Sequence, residues 1–146
     1  MVRIACIGAG LIGQAWAIVF ARGGCRVVLY DPDRTTLNGA PAGIAARLAD
    51  LRRFGLIDQI EPILARISTE ADLGRALDGA AHVQESAPER VEAKRPLYEQ
   101  LDRLAAPETV LASSTSGIPA SAFTEGLEHR ERCLVAHPIN PPYLVP

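Results

Sequence analysis

A glycine pattern near the amino end constrains this chain more than any other feature. Residues 2–7 form an apolar run that reads as a buried strand; it breaks at Gly8-Ala9-Gly10, and apolar residues resume at Leu11 with helical spacing. Gly8, Gly10 and Gly13 therefore fit G-x-G-x-x-G at a strand-to-helix junction. In that pattern the first glycine makes the tight turn and the second lets a pyrophosphate approach the backbone. The third lets the helix pack close to the strand. The helix start, at Leu11, Ile12 and Gly13, offers unpaired N–H groups and a positive dipole end to phosphate. A second apolar run, residues 25–30, ends on Asp31, eighteen residues after Gly13. That separation suits a carboxylate that reaches an adenosine ribose. A glycine turn alone also serves a plain strand-to-helix connection; the combination predicts dinucleotide binding.

Further along, strand and helix patterns alternate. Residues 11–22 read as a helix with Ile12, Trp16 and Val19 on one apolar stripe, closed by Gly23-Gly24. That stripe makes Trp16 a core residue rather than a cofactor platform. Pro32 and Asp33 open a helical stretch to about Phe54, with Leu37, Ile44, Leu48 and Leu51 inward. Gly39, Pro41 and Gly43 predict a break in its middle. Gly55 stops it, and another turn of helix fits within residues 56–64. Strands are expected at 66–69, 80–85, 109–113 and 132–136, and helices at 70–77, 89–104 and 119–124. Such alternation implies right-handed crossovers and a parallel sheet covered on both faces. The expected fold class is α/β: a Rossmann-type doubly wound parallel sheet, order 3-2-1-4-5-6, in one domain over residues 1–146.

Composition narrows the function classes. The balance is globular, 48% apolar and 22% charged, with a net charge of −2. Near neutrality with scattered Lys and Arg argues against a nucleic-acid surface. No apolar run approaches the roughly 20 residues that span a bilayer, and the first residues enter a strand directly, unlike a secretory signal. Cys6, Cys25 and Cys133 are an odd set inside apolar strand-like segments. They read as buried thiols rather than disulfides or metal ligands, which points to a reducing, cytoplasmic location.

Ligands of an open parallel sheet bind beyond the carboxyl ends of its strands. Those ends carry 8–13, Asp31, 85–89, 113–116 and 137–140, which gathers the interesting polar residues on one rim. Asp31 can accept both ribose hydroxyls and would repel a 2′-phosphate, so NAD is expected over NADP, with nearby Arg34 arguing the other way. The competing role for Asp31 is as N-cap of the next helix. His137 is the candidate general base. Oxidising a secondary alcohol needs a group to take the hydroxyl proton, and a neutral imidazole suits that work near pH 7. His82, within a strand, and His129, in the charged loop EGLEHRER, are weaker candidates. On the residues alone, Glu89 and Lys94 are a helix-start acid and a surface lysine.

The segments IGAGLIGQAWA at 7–17, LYD at 29–31, HVQESAPERVEAK at 82–94, SSTSGIPAS at 113–121 and VAHPINPPYLVP at 135–146 resemble the 3-hydroxyacyl-CoA dehydrogenase family in its NAD-binding half. The resemblance is strongest to the lambda-crystallin and L-gulonate 3-dehydrogenase branch. It implies that His137 is the acid–base residue and that Asn140 hydrogen-bonds near the reacting oxygen and the nicotinamide. Ser116 would touch substrate hydroxyl and cofactor. Glu89 and Lys94 would flank the nicotinamide-side ribose, with the backbone at Ser86 nearby. Acyl-CoA members typically carry Asn-Thr-Ser where this chain has Ser114-Thr115-Ser116, and HFFNP where it has 137–141; both departures favour the lambda-crystallin-like branch and argue against a CoA thioester substrate, and carnitine or another small 3-hydroxy compound is a further alternative. The family also carries a Glu about a dozen residues beyond the histidine, which orients the imidazole, and a helical C-terminal domain that closes the cleft and forms a homodimer. Neither is in these 146 residues, so a fragment of a two-domain enzyme is expected, binding NAD without useful turnover. The rival expectation is a free-standing NAD-binding module or sensor.

Overall fold

Backbone pairing, set by the apolar runs, places the first strand at the centre of the molecule. The structure, a computed structural model, describes residues 1–145; Pro146, the last residue of the segment 135–146, lies outside them. The strands are β1 (Arg3–Ile7), β2 (Arg26–Tyr30), β3 (Ile67–Glu70), β4 (His82–Glu85), β5 (Val110–Ser113) and β6 (Cys133–Val135). They form one parallel sheet in the order β3-β2-β1-β4-β5-β6, as the alternation predicts. β1 and β4 are central and covered on both faces; β1 answers with the apolar run at 4–7, whereas β4 buries Gln84 and Glu85.

Helices α1 (Leu11–Arg22), α2 (Arg34–Arg53) and α3 (Glu61–Leu64) lie over one face, where Ile4, Cys6, Ile18, Leu29, Ile44 and Leu48 pack together. Helices α4 (Leu73–Leu77), α5 (Val91–Leu104) and α6 (Ser121–Thr124) lie over the other, around Ile7, Leu77, Val83, Tyr98, Leu101 and Phe123. No helix among the described residues is long and apolar enough to cross a membrane.

Two local expectations are corrected. The stripe Ile12, Trp16 and Val19 is only half-buried; the fully buried face of α1 is Gly13, Ala15, Ala17, Ile18 and Ala21. The helix packs so near the sheet that, Ile18 apart, small residues occupy the contact and the larger ones of the stripe go to its flanks. The break expected at Gly39, Pro41 and Gly43 is also absent, and α2 runs unbroken for 20 residues. Pro41 faces solvent, while Leu37, Ala40, Ile44, Leu48 and Leu51 anchor the helix on the core. Burial of that stripe outweighs the roughly 3 kcal/mol an internal proline costs. Gly43 is a packing residue: a Cβ there would run into the Gln14 side chain of α1 and approach Arg47 Nη1 to 3.0 Å.

Cys6 is fully buried, and Cys25 and Cys133 are half-buried; all three are free thiols. Burial pushes the Cys133 thiol up to about 11, which keeps it protonated and unreactive at neutral pH.

Candidate functional site

All strands run the same way, so their carboxyl ends share one rim. The glycine turn opens that rim. Gly8 has φ +103°, donates its N–H to the Tyr30 carbonyl at 2.8 Å, and would place a Cβ 2.7 Å from the Ser86 carbonyl oxygen. At Gly13 a Cβ would overlap the Gly8 carbonyl oxygen outright. The fold itself therefore requires these two glycines. Gly10 is different: its backbone is ordinary (φ −71°, ψ −168°), and a Cβ would meet nothing within 4 Å. Its lack of a side chain keeps the space over the start of α1 clear. The first helical bond there is donated by Gln14 N to the Gly10 carbonyl at 3.0 Å, which leaves the amides of Leu11, Ile12 and Gly13 without helical acceptors. An open turn over unpaired amides fits a pyrophosphate.

Asp31 belongs to this turn. Its Oδ2 accepts the Ala9 N–H at 2.8 Å and its Oδ1 the Asp33 N–H at 2.9 Å. The competing cap role falls to Asp33, whose carboxylate accepts the Thr36 N–H at 2.8 Å and the Thr36 hydroxyl at 2.5 Å. Those bonds, the hydroxyl's first, hold the Asp33 carboxyl below the usual carboxylate range. Each Asp31 oxygen keeps a further lone pair. Beside it lies a cleft of about 630 Å³ lined by Gly8, Gly10, Asp31, Thr36, Ser86 and Leu97, a size suited to a small organic ligand.

The end of β4 sends two polar side chains to opposite faces. Glu85, fully buried, accepts Lys94 Nζ at 2.7 Å, the Ala87 N–H at 2.6 Å and the Ser113 hydroxyl at 2.5 Å. Lys94 is 1% exposed, not a surface lysine, and its Nζ also lies 3.8 Å from Glu89 Oε2. Glu89 sits ahead of α5 rather than in its first turn. Its Oε1 accepts the Thr115 hydroxyl at 2.5 Å, the Ser116 N–H at 2.9 Å and the Gly117 N–H at 3.1 Å. The carboxylate thus shapes the turn after β5 from within a nest of donors.

Burial raises the Glu89 pKa, but the Thr115 hydroxyl, the Gly117 and Ser116 amides and Lys94 together leave it below the usual range. A depressed carboxyl contributes stability that is present above its unfolded pKa and is lost as pH falls through the folded one. The Ser116 and Gly117 amide resonances should therefore hold steady down to about pH 4.3, the ordinary glutamate value, and move below it. A titration already complete by pH 5 would contradict this account.

On the α1 face, Gln84 Nε2 donates to Ser114 Oγ at 2.8 Å and to the Ala136 carbonyl at 3.4 Å. Trp16 Nε1 donates to the same Ser114 oxygen at 3.0 Å, and Ser86 Oγ lies 3.0 Å from it. Trp16 stacks on Phe20, with ring centroids 5.3 Å apart, at the margin of the core rather than within it. His82 Nε2 lies 3.2 Å from Gln84 Oε1; burial favours the neutral ring and lowers its pKa, outweighing that contact, which raises it.

His137 follows β6 on the same rim, is exposed, and has no hydrogen-bond partner among the described residues. The residue before it is held: Ala136 N donates to the Ser113 carbonyl at 2.8 Å. Asn140 and Ser116 are exposed as well. His129 lies away from this group, with Nδ1 3.5 Å from Asp102 Oδ1, beside the Asp102–Arg132 ion pair. The structure therefore joins Ser116, Glu89 and Lys94 in one cluster and Asp31 with the glycine turn in another. Sequence reasoning places Glu85 and Ser114 on the rim without giving either a partner, and passes over Gln84. The available signal was two consecutive polar residues in a central strand, which have to find partners on both covered faces.

A doubly wound sheet whose first turn is an open anion cradle beside an acid-tipped second strand defines a dinucleotide-binding Rossmann domain. The chain belongs to the 3-hydroxyacyl-CoA dehydrogenase family: residues 3–146 match its NAD binding domain, and NAD is the cofactor of that domain. The lambda-crystallin homolog of Bos taurus is 42% identical over 146 residues, covering 98% of this chain and 46% of that protein. The L-carnitine dehydrogenase of Streptomyces coelicolor is 38% identical over 144 residues, covering 99% and 45%. The crystal structure of 3-hydroxybutyryl-CoA dehydrogenase from Escherichia coli superposes with a TM-score of 0.90 at 35% identity, over 99% of this chain and 30% of that one. The chain spans about half the length of the curated relatives it matches.

Proposed function

We propose that this chain is the cofactor half of a longer NAD-dependent dehydrogenase that oxidises a 3-hydroxyl to a 3-keto group, with His137 as its acid–base residue. The observation that carries the cofactor part is Gly10, a glycine that packing does not need, over free amides and beside Asp31. The α1 amides and Gly10 would hold the pyrophosphate and Asp31 the adenosine ribose. Ser86, Glu89, Lys94, Ser116 and Asn140 would lie toward the nicotinamide side. When bound, NAD supplies the acceptor for the hydride that leaves the carbinol carbon.

The chain's own work is binding, orientation and proton handling. His137 takes the substrate hydroxyl proton onto its imidazole and returns it in the reverse direction. Asn140 and the Ser116 hydroxyl donate to the reacting oxygen. Exposed Leu134, Val135, Ile139 and Leu144 on β6 and the segment after it support a substrate-bearing half, and the dimer contact the family implies, elsewhere in a longer protein. Ser114 in the turn after β5 and the 137–141 segment favour a small 3-hydroxy compound over a CoA thioester; among the relatives one is named for carnitine and another for 3-hydroxybutyryl-CoA.

Isothermal titration tests the cofactor assignment. NAD should bind at least about tenfold tighter than NADP, because the Asp31 carboxylate repels a 2′-phosphate by about 1.4 kcal/mol or more. Asp31→Ala should weaken NAD binding and narrow that ratio, with a melting curve run alongside to register any loosening of the Ala9 turn. Equal affinity for the two cofactors would overturn the reading of Asp31. A second reading, an NAD-binding module without chemistry, draws on the unpartnered His137. Turnover on a panel of 3-hydroxy compounds decides between the two.

A further inference from the structure

We infer that the Ser86 hydroxyl is a committed hydrogen-bond donor to an oxygen of the bound dinucleotide, its proton turned outward by a buried relay through Trp16, Gln84 and Ser114. The inference rests on the NAD-binding reading above, which places Ser86 near the cofactor but gives no role to its hydroxyl or to Trp16, Gln84 and Ser114.

The direction of the relay follows from counting donors and acceptors. The Ala136 carbonyl can only accept, so the Gln84 group facing it at 3.4 Å is the NH₂ end of the amide. Its second N–H then goes to Ser114 Oγ at 2.8 Å, and its carbonyl end accepts from His82 Nε2 at 3.2 Å. The Trp16 indole N–H can only donate, and it too ends on Ser114 Oγ, at 3.0 Å. A hydroxyl oxygen has two lone pairs and one proton. Trp16 and Gln84 occupy both lone pairs, so the Ser114 proton goes to Ser86 Oγ, 3.0 Å away.

Ser86 Oγ thereby accepts a proton and keeps its own. No other protein acceptor lies within bonding distance of it among the described residues. Ser86 lines the cleft beside Gly8 and Gly10, so its proton is free for an acceptor brought by the ligand. Pyrophosphate, ribose and carboxamide oxygens are acceptors of that kind. Trp16 and Gln84 are positioning residues: they touch no ligand and act by filling the Ser114 lone pairs. With either donor removed, Ser86 can turn inward and donate to Ser114, and the outward proton is lost for part of the time.

A double-mutant cycle on NAD affinity, measured by calorimetry, tests this. Ser86→Ala should weaken NAD binding about tenfold, within the range of one hydrogen bond lost. Trp16→Phe should weaken it two- to threefold alone and not further in the Ser86→Ala background. A purely structural effect of the tryptophan would persist in both backgrounds. Trp16 is the single tryptophan, so its one indole N–H resonance reports on the relay directly. NAD should shift that resonance in the wild-type chain and barely in Ser86→Ala. Should the alanine variant fold poorly, Ser86→Cys, a weaker donor of similar size, should show the same direction of change.

Wild-type affinity retained within twofold in Ser86→Ala, or additive losses in the double variant, would overturn the inference and leave the cofactor assignment standing. A wild-type chain that fails to bind NAD would overturn both.

Discussion

Gly13→Ala should be the most damaging single methyl group that can be added to this chain. The new Cβ would overlap the Gly8 carbonyl oxygen and lie 2.8 Å from its carbon, with Leu29 Cδ1 at 3.8 Å behind. Those atoms are backbone on the central strand's turn, so no rotamer change relieves the overlap. Either α1 lifts off β1 or the turn at Gly8 deforms. Overpacking a tight site typically costs about 1–3 kcal/mol, and a backbone clash belongs at or above the top of that range. We expect a loss of at least about 3 kcal/mol in urea unfolding, out of the roughly 5–15 kcal/mol a domain holds. NAD binding should vanish with it.

The control is Gly10→Ala, three residues away. Nothing lies within 4 Å of its Cβ, and its backbone angles suit alanine. Stability should stay within about 1 kcal/mol of wild type, since the loss of unfolded-chain entropy on removing a glycine offsets the poorer N-cap. NAD affinity should nonetheless fall sharply, because the methyl group enters the space proposed above for the phosphates. If both variants melt early, or if Gly10→Ala binds NAD normally, the division of labour between fold glycine and ligand glycine is wrong.

The same contrast shows what was legible in the sequence. Strand order, the glycine turn and the acid at the tip of β2 were readable because each follows from a local pattern. An apolar period, a fixed glycine spacing and a single acid at a set distance need no knowledge of distant residues. Pairing between side chains far apart in sequence was not readable. Asp31 and Asp33 are equally plausible caps on paper, and only the approach of the Ala9 amide separates them. Lys94 reads as a surface lysine in α5 until β4 brings Glu85 within 2.7 Å of it. The bend expected at Pro41 failed for a related reason: propensity is local, while the buried stripe on α2 gains its stability from the sheet. Ser114 is the extreme case, a plain serine in a polar turn that collects partners from α1, β4 and the loop after β4.

His137→Gln should leave fold and cofactor binding intact while removing most of the chemistry. The imidazole is exposed and bonded to nothing among the described residues, so neither packing nor a buried network is lost with it. Melting temperature and NAD affinity should match wild type, the latter within about twofold, the precision of ordinary titrations in terms of a few tenths of a kcal/mol. Glutamine can hydrogen-bond the substrate hydroxyl but cannot take its proton, so in the longer enzyme proposed above turnover on 3-hydroxy substrates should fall by about 10²–10⁴. The tether at Ala136 fixes where the residue starts, through the Ser113 carbonyl and the Gln84 amide, but leaves ring rotation unrestrained. A freely rotating base loses much of the advantage of orientation. The 146-residue chain by itself should therefore bind NAD and reduce it at least about 10²-fold more slowly than a protein that supplies a carboxylate to the ring. Turnover in His137→Gln within tenfold of wild type, measured as the rise in reduced cofactor on a saturating 3-hydroxy substrate, would show that another group carries the proton.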